Sequence, residues 1–124
     1  MQTDSHVLRT LAQTYFDAAY AMDADRFSTI FHPDSSITRT GDDGLVSVVP
    51  FQSWLKVVRE ATSPQSLQLE RRDEIVTIDV DGDLALIKIR LQMPPRQFTD
   101  LLCCLKVQGA WKIVQKVMRV EVAA

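Results

Sequence analysis

An α+β domain, with its helices gathered on one face of an antiparallel sheet, is the fold class this sequence predicts. Three observations predict it. Apolar residues recur at three- and four-residue spacing through the first third. The second half is a succession of β-rich runs separated by turn signals. A chain of 124 residues that is 46% hydrophobic suffices for one core without disulfides or a structural metal. No repeat, low-complexity tract or linker divides the chain, so residues 1–124 are read as a single domain.

Between Asp4 and Met22, the residues Leu8, Leu11, Ala12, Tyr15, Ala19 and Met22 fall on one stripe, the pattern of a core-facing helix with Asp4 or Ser5 as its cap. Asp23 suits the N-cap of a second helix that buries Phe27, Ile30 and Phe31. Pro33 is expected to end that helix at His32, because the proline ring disfavours helical geometry in the residue before it. The alternating run Ser35 to Thr40, the turn Gly41-Asp42-Asp43-Gly44 and the run Val46 to Val49 together read as a hairpin. Pro50 suits the start of a third helix, with Phe51, Trp54, Leu55 and Val58 as its buried stripe and an end near Ala61. Four strands follow, Leu69 to Val80, Leu84 to Met93, Phe98 to Gln108 and Trp111 to Val122, broken at Asp81-Gly82-Asp83, Pro94-Pro95 and Gly109-Ala110. This is the pattern of an antiparallel meander.

Composition excludes several classes of partner. Lys and Arg (14) nearly balance Asp and Glu (16), giving a formal net charge of −2, so no field draws the chain to nucleic acid or an anionic membrane. The strand lysines and arginines also lack an interleaved series of stacking aromatics. No segment has the length and apolarity of a membrane span, and the first ten residues lack the basic-then-apolar pattern of a secretory signal. A cytoplasmic protein is expected, in keeping with two adjacent cysteines, Cys103 and Cys104, that form no disulfide framework. His6 and His32 belong to no cluster with metal-ligand spacing, and the glycine turns are hairpin connections, not phosphate loops, so neither metal nor cofactor is expected. Runs such as LALIKIRL and LLCCLKV are apolar at adjacent positions, which implies that both sheet faces are partly buried. The helices cover one face. A second copy of the chain is expected on the other, as a homodimer.

The order YFDAAYAMDADRFSTIFHPDSSI, a short helix, DGDLALIKI, and FTDLLCCLKVQGAWKIV resembles the nuclear transport factor two-like superfamily, in its lumazine-binding-like branch. The resemblance spans nearly the whole chain. It implies a cone-shaped fold in which a curved sheet wraps three N-terminal helices and leaves a cavity at the wide end. It does not by itself imply that the ligand is lumazine. Steroid isomerases of this superfamily use a first-helix tyrosine and a strand aspartic acid as an oxyanion hole, with an aspartate base on the first strand. Tyr15 matches the tyrosine, eight residues before Asp23. Counting forward from Phe31 puts Arg39 at the base position, and counting back from Gly109 puts Cys103 at the strand-acid position. An arginine does not abstract a proton from carbon, and a neutral thiol is a poor donor, so the isomerase reaction is not expected.

The candidate pocket residues are therefore Tyr15, His32, Arg39, Trp54 and Cys103, with Tyr15, His32 and Asp100 as candidates for acid–base chemistry. Each also has a structural reading. Tyr15 and Trp54 suit a core, and His32 suits a helix end. Arg39 either meets an anion inside the cavity or leaves through the rim to pair with Asp42 or Asp43. Asp100 lies in an apolar strand, where a charge must be exposed, paired or protonated. Strict alternation from Cys103 turns it away from the cavity, and a bulge reverses that. Cys103 and Cys104 have no basic neighbour in sequence to activate a thiol and read as packing residues. A binding module for a small, partly apolar ligand follows most directly. The alternatives are an isomerase-, dehydratase- or cyclase-type enzyme using Tyr15 with His32 or Asp100, and a dimeric structural or interaction module.

Overall fold

A computed structural model describes residues 3–123. The elements run α1 (Asp4–Ala21), α2 (Ala24–Ser28), β1 (Phe31–Thr40), β2 (Val46–Pro50), α3 (Phe51–Glu60), β3 (Arg72–Asp81), β4 (Leu84–Met93), β5 (Arg96–Val107) and β6 (Ala110–Val122). The architecture is α+β: a curved six-stranded sheet in the order β2-β1-β6-β5-β4-β3, with the helices against its inner face. It is antiparallel everywhere except where β1 meets β6, which run parallel. That junction is a consequence of closing the meander back onto the first hairpin, and no local sequence pattern announces it.

Helix α1 buries Leu8, Leu11, Ala12, Tyr15, Phe16 and Ala18. Its cap is Thr3, not Asp4 or Ser5, with the Thr3 hydroxyl accepting from the His6 amide. Asp4 instead accepts from the Trp111 indole and the Lys106 ammonium, both at 3.0 Å, and so ties the start of α1 to the far end of the sheet. Met22 ends the helix in the left-handed region, and the Asp23 carboxylate caps α2 as expected.

The expected helix end at His32-Pro33 is not what forms. Helix α2 stops at Ser28, and His32 and Pro33 belong to β1. Between Phe31 and Ser36 the β1–β6 ladder is irregular: five steps along β1 match two along β6. A proline, which has no N–H for the ladder, is tolerated at such a bulge. The His32 ring contributes there, its Nδ1 accepting from the Asp34 amide at 3.1 Å.

The β1–β2 hairpin closes at Gly41–Gly44, and Phe51, Leu55 and Val58 pin α3 onto the core. Residues 62–70 form turns, not the first part of β3, with the Ser63 hydroxyl accepting from the Ser66 amide and Gln68 at positive φ. The β5–β6 turn, Gln108-Gly109, has positive φ at both residues, as a tight two-residue hairpin turn requires.

One irregularity decides the site. On the β5–β6 ladder Cys103 pairs with Gln115 but Cys104 pairs with Ile113, so Val114 is an extra residue on β6. Before it the inward residues of β6 are Trp111 and Ile113. After it they are Lys116 and Met118, which lie opposite the buried Leu102 and Asp100. Without the bulge, strict alternation would send Lys116 to the outer face.

Candidate functional site

Three polar side chains converge inside the core, one from each of three elements. Tyr15 comes from the buried stripe of α1, Asp100 from the inward face of β5, and Lys116 from β6 just past the bulge. They are 2%, 2% and 4% exposed. The Tyr15 hydroxyl donates to Asp100 Oδ2 at 2.6 Å, and Lys116 Nζ lies 3.7 Å from that same oxygen, an ion-pair distance beyond hydrogen-bond reach. Asp100 Oδ1 is buried and has no partner among the described residues. The ammonium also faces two rings, 4.5 Å from the Trp54 centroid and 5.3 Å from that of Tyr15, a cation–π arrangement.

Burial pushes the Tyr15 hydroxyl well above the usual tyrosine range, and the neighbouring Asp100 charge adds to the shift. The phenol therefore remains a donor throughout the physiological range. Burial lowers Lys116 below the ordinary lysine value, with Asp100 opposing the shift.

These groups line a cavity of about 140 Å³ whose other walls include Trp54, Phe98 and Met118. Its aromatic side is closely packed. Phe27 meets Tyr15 and Trp54 edge to face at 5.3 and 4.7 Å, and Phe31 stacks on Phe51 at 4.7 Å. A second recess of about 370 Å³ shares Trp54 and Met118 with the first, and Arg39 lines it.

The structure brings Tyr15, Trp54 and Asp100 together at one cavity. Arg39 is next door, 42% exposed and 3.9 Å from Asp42, the rim pairing. His32 lies in the β1 bulge and Cys103 on the outer face of β5, so neither lines the cavity. The count back from Gly109 that chose Cys103 was misplaced by three residues: the strand acid facing the tyrosine is Asp100. No bulge in β5 was needed to turn it inward, because Asp100, Leu102 and Cys104 alternate regularly into the core. Lys116 was missed. The sequence signal for it was weak, a lysine two residues after an apolar run whose direction depends on where the bulge falls.

The sequence matches the model of the family described as "Putative lumazine-binding" over residues 3–119. The chain belongs to this family, and its fold is that of the nuclear transport factor two-like proteins. Solved structures with the same fold include an NTF2-like protein of unknown function from Shewanella baltica. It is 22% identical, covers 99% of this chain and 100% of its own, and has a TM-score of 0.87. A second, from Silicibacter pomeroyi, also NTF2-like and of unknown function, is 24% identical over 98% of this chain and 100% of its own, with a TM-score of 0.82. A ketosteroid isomerase-like protein from Erwinia carotovora is 14% identical over 95% and 96%, with a TM-score of 0.72. No protein of curated function matches the sequence. At these identities the solved structures establish the fold. For this lumazine-binding-family chain, the chemistry has to be read from Tyr15, Asp100 and Lys116.

Among the described residues no helix is long and apolar enough to cross a membrane, and no group of three or more His, Cys, Asp or Glu is placed to hold a metal.

Proposed function

We propose that this protein binds a small, partly apolar molecule in the cavity between Trp54 and the Tyr15–Asp100–Lys116 cluster. The observation that carries the reading is a buried carboxylate with one unpartnered oxygen, Asp100 Oδ1, on a residue that lines a largely apolar cavity alongside Tyr15 and Lys116. A buried carboxylate oxygen left without a donor costs about 1–3 kcal/mol or more, and a ligand N–H or O–H removes that cost. Apolar walls with a few convergent polar atoms are the usual composition of a small-molecule site. Thermal-shift screening with small aromatic alcohols, amides and ketones, alongside native mass spectrometry of the purified protein, tests the proposal. Absence of any stabilisation at millimolar ligand counts against it.

A second reading is an isomerase-, dehydratase- or cyclase-type enzyme with Tyr15 and Asp100 at the reacting oxygen. It is supported by the 2.6 Å hydrogen bond between them, which matches the tyrosine–aspartate pairing expected of the isomerase relatives. Arg39 gives this reading no carbon base, and the basic group nearest the pair is Lys116.

A homodimer through the outer face of the sheet is part of the proposal. Leu84, Leu86, Leu101, Cys103, Leu105 and Val117 are cross-strand neighbours on that face. The first two, Leu105 and Val117 are more than a third exposed. Light scattering at micromolar concentration should give twice the chain mass, and Leu86→Lys should halve it. Two free cysteines, one on each face, suit a reducing compartment, and we assign the protein to the cytoplasm on that basis.

A further inference from the structure

Of the five lysines, Lys116 alone is buried. Lys106 is held by Asp4, Lys112 donates to the Thr29 carbonyl, and Lys56 and Lys88 lie outside the core. Its amine opens onto the small cavity, and the carboxylate beside it keeps one oxygen for the Tyr15 hydroxyl and leaves the other unoccupied. An amine, a proton acceptor and a phenolic donor thus border a half-open space that Trp54, Phe98 and Met118 also line.

We propose that Lys116 captures small aldehydes or ketones as an imine. The inference deepens the binding reading, on which it rests, by naming the ligand class and the atom that holds it. The neutral amine adds to the carbonyl carbon, forming the C–N bond, and the C=O π pair moves to oxygen. The Asp100 carboxylate accepts one amine proton and returns it to that oxygen, giving the carbinolamine. Loss of the second amine proton by the same route, with cleavage of the C–O bond, releases water and leaves C=N. Both hydrogens of the water come from the amine, so no oxidant, reductant or further reactant takes part.

Three features of the site favour this step. Burial lowers the lysine pKa, which raises the fraction of neutral nucleophile at a given pH. The Asp100 carboxylate, 3.7 Å from the amine, is near enough to shuttle its protons once the ligand carbonyl draws the two together. The cavity is about 140 Å³, close to the size of one that accommodates a benzene-sized molecule, and its apolar walls limit hydrolysis of the product.

The experiment incubates the full chain with benzaldehyde and sodium cyanoborohydride near neutral pH and maps the benzyl group by peptide mass spectrometry. Toluene, which has the same ring and no carbonyl, is assayed in parallel by thermal shift. The expected result is one benzyl group per chain on Lys116 before Lys56, Lys88, Lys106 or Lys112 is detectably modified, and loss of that adduct in folded Lys116→Arg. Labelling spread evenly over the surface lysines overturns the imine. Stabilisation by toluene with no adduct at Lys116 overturns the imine while leaving the binding site standing. If toluene gives no stabilisation and Lys116 no adduct, both readings fall.

Discussion

Lys116→Met tests whether the buried cluster is an energetic unit. In the native protein the ammonium and Asp100 Oδ2 are 3.7 Å apart, with side chains 5% and 2% exposed, so solvent screens them little. At an effective dielectric constant near 20, two unit charges at that separation attract by about 4.5 kcal/mol. Removing one partner strands the other charge, and broken buried pairs typically cost about 3–5 kcal/mol. For a chain of this size that corresponds to a fall in Tm of roughly 10–20 °C. Asp100→Asn is the complementary change. Asparagine keeps an oxygen for the Tyr15 hydroxyl but leaves Lys116 without its counter-charge. Here pH supplies an internal check. Losing Asp100 removes the influence that raises the Lys116 pKa, so the native value falls further below the unfolded one. Between those values the unfolded chain holds a proton that the native chain has released, so stability rises with pH across the window. Asp100→Asn should therefore be less damaging near pH 9 than near pH 6. Urea unfolding of both single variants and the double variant measures the coupling, expected at 0.5–3 kcal/mol in the sense that the double costs less than the sum. Additivity within about 0.5 kcal/mol would refute the argument that these charges interact.

Tyr15→Phe should cost about 1–3 kcal/mol through the lost hydrogen bond to Asp100. Because the native Tyr15 pKa lies above the unfolded value of about 10, wild type loses stability as pH rises beyond 10, and urea melts of the variant should lack that component of the alkaline slope. Burial, with Cys103 as a lesser cause, pushes the Cys104 thiol up to about 12, so a thiol reagent at pH 8 should leave Cys104 unmodified in the native protein and modify both cysteines in urea. Deleting Val114 removes the extra residue and leaves Ile113, Gln115 and Lys116 in strict alternation, so Lys116 and Met118 keep their inward face and the fold should survive. Urea melts followed by circular dichroism should place the deletion variant within about 3 kcal/mol of the parent, and loss of the folded state would refute the assignment of the bulge.

The layered architecture was legible because periodicity carried it. The α1 stripe, the Asp23 cap, the β1–β2 hairpin and the turns at Asp81-Gly82-Asp83 and Pro94-Pro95 fall where spacing and turn chemistry put them, and the last turn lies one residue earlier, at Gln108-Gly109. Errors arose where the ladder is irregular. Pro33 was read as a helix stop, which its restriction on His32 allows, but the same lack of an N–H also suits a strand bulge, and the parallel pairing of β1 with β6 provides one. Nothing within ten residues of Pro33 distinguishes the two outcomes.

The site shows the same division more sharply. Tyr15 and Trp54 were found because helical faces keep their phase over many residues. Strand faces do not survive an inserted residue. Cys103 lies three positions from Asp100, an odd offset, so the two residues occupy opposite faces of β5 and only Asp100 faces the core. On β6 the inserted residue is real, and it turns a lysine inward that unbroken alternation would leave in solvent. Asp100 and Lys116 need each other for this arrangement. A carboxylate facing the core without the lysine, or a lysine without the carboxylate, is an unpaired buried charge that either shifts its protonation or drives the strand to re-register. The Val114 bulge is thus what makes a charged pair admissible in an aromatic core, and it sets an amine beside the Tyr15–Asp100 hydrogen bond.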